Sequence, residues 1–171
     1  GGYKYLPGRW KPVAKALIDH YQLKAGDSVL DVGCGKGFLL YEMKLLLPEL
    51  NVNGIDISEY AVSHCPEELK GDIQVGDATS LPFEDDSFDL VFSLNVFHNL
   101  HNYNLEEALN EFQRVGRLHK YICVESYRNE IEKANLLYWQ VTCEAFCTPK
   151  EWEWWFKQSG YVGDHSFIYF E

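Results

Sequence analysis

The chain has 171 residues, 46% of them apolar and 15% aromatic, which suits one domain with a full hydrophobic core and excludes a disordered segment. Its formal net charge of −11, without a visible Lys/Arg patch, argues against nucleic-acid backbone and anionic membrane as partners, since both reward positive surface. A small anionic substrate stays admissible, and no apolar run approaches the length of a membrane span. The start, Gly1-Gly2-Tyr3, lacks an initiator Met and the charged-then-apolar pattern of a signal peptide, and reads as a trimmed end. An irregular aromatic-basic arm follows over 1–10, ending "YKYLPGRW". Val13, Leu17 and Ile18 share one face of a helix predicted over 11–21. Then comes "VLDVGCGKGFLL" (29–40), which sets three glycines at alternate positions between a short β-forming run and a helical pattern. Gly33, Gly35 and Gly37 therefore sit on a strand-to-helix turn, where glycine permits positive φ and lets another molecule approach the backbone. A tight turn that merely needs glycine is the plainer reading.

The pattern continues as strand, helix, strand. "NVNGID" (51–56) is a short strand, and Ser58 is placed to cap the helix that runs to 64. Strands are expected over 72–75, within "SFDLVFSLNVF", and over 121–125 ("YICVE"), with an amphipathic helix over 105–115. The stretch "SYRNEIEKANLLYWQVTCEAFC" after the fifth strand is mostly helical in pattern. Thr148-Pro149-Lys150-Glu151 forms a capping box for a helix through "WEWWFKQSG", and a last strand covers 166–170. Strands alternating with helices predict an α/β fold, a doubly wound and mostly parallel sheet with helices on both faces and six or seven strands. The whole of 1–171 reads as one domain, with 127–148 as an inserted, lid-like segment. Five scattered cysteines in apolar surroundings fit a reduced, cytoplasmic protein. Cys143 and Cys147 share a helical spacing without a second ligand pair, so core packing is expected there and no metal site.

Two cofactor classes use a glycine turn after the first strand. The dinucleotide fingerprint is G-x-G-x-x-G, whereas this chain has G-x-G-x-G, which disfavours a nicotinamide oxidoreductase. Asp31, at the end of the strand, would welcome a cationic ligand. The motifs closely resemble those of the class I S-adenosylmethionine-dependent methyltransferases, over most of the chain. "VLDVGCGKG" is similar to their first motif, "GIDIS" to the second, and "VGDATSLPFEDDSFDLVFS" to the third and fourth. The resemblance implies a Rossmann-like methyltransferase fold that binds S-adenosyl-L-methionine and releases S-adenosyl-L-homocysteine. It implies that Asp31, Gly33, Gly35 and Gly37 cradle the cofactor and that Asp56 holds the ribose hydroxyls. By the same resemblance Ile57 packs on adenine, Asp77 and the Ala78 amide meet the adenine edge, and carbonyls near Ser93 and Leu94 meet the methionine end. Asp56 and Asp77 could instead be loop caps. The chain departs from its relatives in reading "RVGRLHKY" where they carry a leucine–lysine–proline–glycine–glycine turn, and in showing only one strand after Gly160 where they end in a hairpin.

The acceptor is expected near the ends of strands four and five, where "SLNVFHNL" delivers Asn95, Phe97, His98 and Asn99 and "VESYR" delivers Glu125, Tyr127 and Arg128. His98 is the candidate general base, because imidazole titrates near working pH, or else it packs and orients. Glu125 could bind or deprotonate a polar acceptor or make a buried structural bond, and Arg128 could clamp an acid or form a surface ion pair. Tyr3, Tyr5 and Trp10 of the arm, and Leu136, Leu137, Tyr138 and Trp139 of the inserted segment, are expected as lids or core. Displacement of a methyl group needs mostly alignment and exclusion of water, so a base is optional. The expected activity is methyl transfer to a small or medium-sized acceptor, with no nucleic acid or membrane as partner. The alternative is a non-catalytic cofactor-binding or partner-binding module that kept the fold.

Overall fold

The apolar runs become six strands of one parallel sheet: β1 (Ser28–Val32), β2 (Asn51–Asp56), β3 (Ile73–Val75), β4 (Phe88–Leu94), β5 (Gly116–Glu125) and β6 (Asp164–Ile168). The computed structural model describes residues 4–171, so Tyr3 of the arm lies outside the described residues. Strand order is β3-β2-β1-β4-β5-β6, and every neighbouring pair is parallel. The helices are α1 (Lys11–His20), α2 (Phe38–Leu46), α3 (Glu59–Ser63), α4 (Asn102–Val115), α5 (Glu130–Trp139) and α6 (Pro149–Gln158). The winding reverses between β1 and β4, which opens a crevice at their carboxyl ends.

Both faces of the sheet are covered, so its strands are apolar at consecutive positions. Leu30, Val91, Ile122 and Val124 pack towards Leu109, Phe112 and Trp152 of α4 and α6. Val29, Leu90 and Phe92 point the other way, into the layer with Ala14, Leu17, Leu40 and Met43 of α1 and α2. Alternation places Asp31 on the same face as Val29, the α1/α2 side, one residue from the end of β1. Ser58 caps α3 by accepting the Ala61 N–H at 3.2 Å, and Thr148 and Glu151 form the expected capping box of α6.

The structure corrects three expectations. β5 begins at Gly116, five residues before the strand expected over 121–125, because α4 runs directly into it without a turn. The junction residue Gly116 has an extended backbone and packs closely beside the Lys120 side chain, and the β4–β5 register shifts between Phe88 and Leu90. β6 covers Asp164–Ile168 and takes the edge beside β5, so the sheet has six strands among the described residues. In the inserted segment only α5 is helical, and residues 140–147 are irregular. No helix among the described residues is long and apolar enough to cross a membrane.

Candidate active site

The glycine turn after β1 is built by backbone geometry and one carboxylate. Gly33, Gly35 and Gly37 all have positive φ, at 82°, 56° and 71°. The Gly33 and Cys34 N–H groups both donate to the Ile55 carbonyl of β2, at 2.7 and 3.0 Å. Asp56, the last residue of β2, then accepts the Gly35 N–H on Oδ2 at 2.7 Å and the Ser58 N–H on Oδ1 at 2.9 Å. A carboxylate oxygen has two lone pairs, so each oxygen retains acceptor capacity. The three glycines do different work. A Cβ on Gly33 would strike Val96 at 2.1 Å, one on Gly37 would strike Ile73 at 2.1 Å, and one on Gly35 would meet nothing within 4 Å. Gly37 is the N-cap of α2 and lets it pack against β3.

Above the turn lies a cleft of about 790 Å³, over the carboxyl ends of β1, β2 and β4. Of the expected cofactor residues, Asp31, Gly33, Gly35, Asp56, Ile57, Asp77, Ala78 and Leu94 line it. Asp31 is only 4% exposed, and burial first, then the neighbouring Asp56, hold its carboxyl well above the usual carboxylate range. Asp77 Oδ1 accepts the Thr79 N–H at 2.9 Å, so it shapes its own turn as well as facing the cleft. Ile57 is 75% exposed at the rim beside Tyr60. Two expected residues do not line the cleft. Gly37 faces Ile73 as described, and Ser93 is buried with its hydroxyl donating to the Val32 carbonyl at 2.7 Å, tying the tips of β4 and β1. Cys34, Tyr60, Val96 and Leu100 also line it, and their only mark in the sequence is that they lie within or beside the motif segments.

The expected catalytic pair is elsewhere. His98 and Glu125 are 1% and 2% exposed, and neither lines the cleft. The Glu125 N–H donates to His98 Nδ1 at 3.3 Å, which leaves the ring proton on Nε2. Nε2 lies 3.3 Å from Glu125 Oε2 without hydrogen-bond alignment, so that oxygen has no hydrogen-bond partner among the described residues. Burial pushes the His98 imidazole down to about 4 and the Glu125 carboxyl up. Residues 140–147 seal the pair. Gln140 donates to Glu125 Oε1, and the Glu144 and Ala145 N–H groups both donate to the His98 carbonyl at 2.9 Å. The inserted segment thus covers His98 and Glu125 rather than the cleft. Leu136 is core, Leu137, Tyr138 and Trp139 face solvent, Phe97 is core, and Arg128 pairs with Glu132 and Glu171. From the acceptor set, Asn95 and Asn99 reach the cleft, as does Trp10 from the arm. Asn95 holds a φ of 62°, and its N–H donates to the Cys123 carbonyl at 2.9 Å. No group of three metal-ligating side chains occurs among the described residues, and the five cysteines are free thiols.

A six-stranded parallel α/β sheet with a glycine turn and an acidic cleft at its switch point defines a nucleotide-type cofactor fold. A sequence model of the methyltransferase domain matches residues 23–160, and the chain belongs to that family of class I S-adenosylmethionine-dependent methyltransferases. It is an enzyme fold shared with named relatives. The demethylmenaquinone methyltransferase of Symbiobacterium thermophilum is 30% identical over 148 residues, covering 78% of this chain and 57% of that protein. The tRNA (carboxymethyluridine(34)-5-O)-methyltransferase of Arabidopsis thaliana is 30% identical over 130 residues, 75% of this chain and 30% of that one. The crystal structure of the YcgJ protein from Bacillus subtilis superposes with a TM-score of 0.65 at 24% identity, covering 85% of this chain and 66% of that one. The chain thus spans from about a third to somewhat over half the length of these two sequence relatives.

The glycine geometry separates stability from binding. Gly37→Ala is expected to lower stability by about 2–4 kcal/mol in denaturant titration, from positive φ together with overpacking against Ile73. Gly35→Ala is expected to cost only about 1 kcal/mol of stability while placing a methyl group at the cleft wall and weakening ligand binding.

Proposed function

We propose that this cleft binds S-adenosylmethionine and that the chain methylates a small or medium-sized acceptor by direct displacement. The observation that carries the reading is the pair of carboxylates at the turn. Asp31, buried and with its carboxyl pushed above the usual range, is favoured as a carboxylate by a cation, and the ligand supplies one as ammonium and sulfonium. Asp56 is held by two backbone N–H groups with lone pairs left over, which suits two neighbouring hydroxyls of a ribose. Ile57, 75% exposed, offers an apolar face for a purine ring near Asp77 and Ala78. The bound cofactor supplies an activated methyl group on sulfur. The protein's contribution is to align the acceptor over the turn, beside Asn95 and Asn99, and to exclude water. With His98 and Glu125 sealed beneath residues 140–147, the reading assigns no general base to the cleft, and the acceptor must be nucleophilic as bound. The net charge of −11 supports a small molecule over RNA, although one relative is named for tRNA. Free thiols throughout suit a reduced, cytoplasmic setting.

Calorimetry with S-adenosylmethionine, S-adenosylhomocysteine and NADH tests the cofactor. Micromolar binding of the adenosyl compounds, about −7 to −8 kcal/mol, is expected, and binding of NADH alone would overturn the reading. Asp56→Ala should weaken that binding by roughly 2–4 kcal/mol, and should also cost about 1–3 kcal/mol of stability because the Gly35 and Ser58 N–H groups lose their acceptor.

The pH dependence isolates Asp31. Burial and the neighbouring Asp56 push the free Asp31 carboxyl above the usual carboxylate range, and a bound cation favours its ionised form, so wherever the free carboxyl is protonated binding releases a proton. Affinity for S-adenosylmethionine should therefore rise with pH, by up to about tenfold per pH unit while the free carboxyl is protonated. Asp31→Asn should bind more weakly and with a flat profile over the same range. A slope unchanged in that variant would remove Asp31 from the site.

A further inference from the structure

Glu42 of α2 belongs to none of the expected motifs, yet the chain ties it to the cleft. It is 3% exposed, and its Oε1 accepts two hydrogen bonds from the arm, from the Tyr5 hydroxyl and from the Gly8 N–H, each at 2.7 Å. A buried carboxyl on the mostly apolar α2 is costly unless such donors satisfy it. Gly8 has a φ of 77°, and a Cβ there would meet nothing, so glycine serves the backbone conformation that aims this N–H at Glu42. The Tyr5 ring packs at 5.5 Å on Phe38 and 5.3 Å on Tyr41, centroid to centroid. Contact with Glu42 first, then burial, pushes the Tyr5 hydroxyl up to about 12, so it remains a donor at neutral pH.

The arm leads directly to Trp10, which lines the main cleft. Lys36 and Phe38 line both that cleft and an adjacent hollow of about 470 Å³ walled by Lys4 and Tyr5. Between Tyr5 and Trp10, Leu6, Pro7, Gly8 and Arg9 are exposed, so at its Tyr5 end this stretch is attached by the two bonds to Glu42 and the ring contacts, while Trp10 itself is the N-cap residue of α1 and packs against the α1/α2 layer. We infer that Glu42 is a positioning residue that latches the aromatic arm across the start of α2, so that Trp10 forms a wall of the cofactor cleft and arm docking and cofactor binding reinforce each other. This rests on the cofactor reading of the cleft. By reciprocity, whatever loosens the latch must weaken the ligand, and the ligand must tighten the latch.

The test uses S-adenosylhomocysteine as the probe and hydrogen exchange of residues 4–10 as the second readout. With the wild-type chain, the probe should bind and slow exchange across the arm. Tyr5→Phe keeps the ring and deletes one donor, so it should raise the Kd about three- to tenfold and abolish the probe's protection of the arm, with the rest of the exchange pattern unchanged. Trp10→Ala should raise the Kd comparably while leaving Tyr5 docked, and Glu42→Gln, which keeps an acceptor oxygen in the same place, should give an intermediate Kd. Probe binding with no protection of the arm, or with an unaltered Kd in Tyr5→Phe whatever Trp10→Ala does, would overturn the latch and leave the cofactor reading intact. Failure of the wild-type chain to bind the probe would overturn both.

Discussion

One carboxylate organises the ligand end of this protein. Asp56 stands at the tip of β2 and accepts from two separate loops, the glycine turn through Gly35 and the cap of α3 through Ser58. Bonds to an ionised acceptor are roughly twice as strong as neutral ones, and two of them on one side chain remove most of its rotational freedom. The turn could otherwise take many conformations, because glycines at positive φ carry little preference of their own. With Gly33 and Cys34 also bound to the Ile55 carbonyl, the turn is held against β2 at three successive residues. The start of α2 and the rim at Ile57 lie beside that anchoring.

The sheet supplies the second constraint. Because β1 and β4 lie side by side with opposite onward windings, no helix covers their carboxyl ends. Asp31 is therefore buried laterally by the α1/α2 layer yet open along the strand axis into the cleft. The upward push on its carboxyl follows from this: low dielectric on the sides and a second carboxyl close by both penalise the charge. A site of this kind is poorly satisfied alone and well satisfied by a cation, which links the electrostatics to the chemistry proposed for it.

On the other side of the strand tips, the polar residues act on packing. His98 gives its carbonyl to two N–H groups of residues 140–147 and its Nδ1 to the Glu125 N–H, while Trp152 Nε1 donates to the Glu125 carbonyl at 3.1 Å. Together these bonds fasten the irregular segment to the ends of β4 and β5. A reaction that needs alignment more than proton transfer is compatible with titratable groups being used this way.

Periodicity and local chemistry in the sequence were enough for β1, β2, the Ser58 cap, the capping box at Thr148 and the alternation of strands and helices, because short-range sterics and hydrogen bonding decide them. Asp31, Gly35, Asp56, Asp77 and Ala78, which the motif order groups together, line one cleft, because the ends of adjacent parallel strands meet there. Tertiary structure alone decided the rest. "RVGRLHKY" reads as a polar turn, yet Gly116 to Lys120 are strand, because β4 offers a ladder that local propensity does not encode. Gly37 and Gly33 look alike in the sequence and differ only in which distant side chain, Ile73 or Val96, occupies the space of their Cβ. His98 leaves β4 at the expected place, but a segment more than 40 residues later in the chain closes over it, and burial there is set by contacts remote in sequence. Glu42 belongs to the same class: on a helical wheel it is one acid among apolar neighbours, and only the folded arm supplies the donors that explain it.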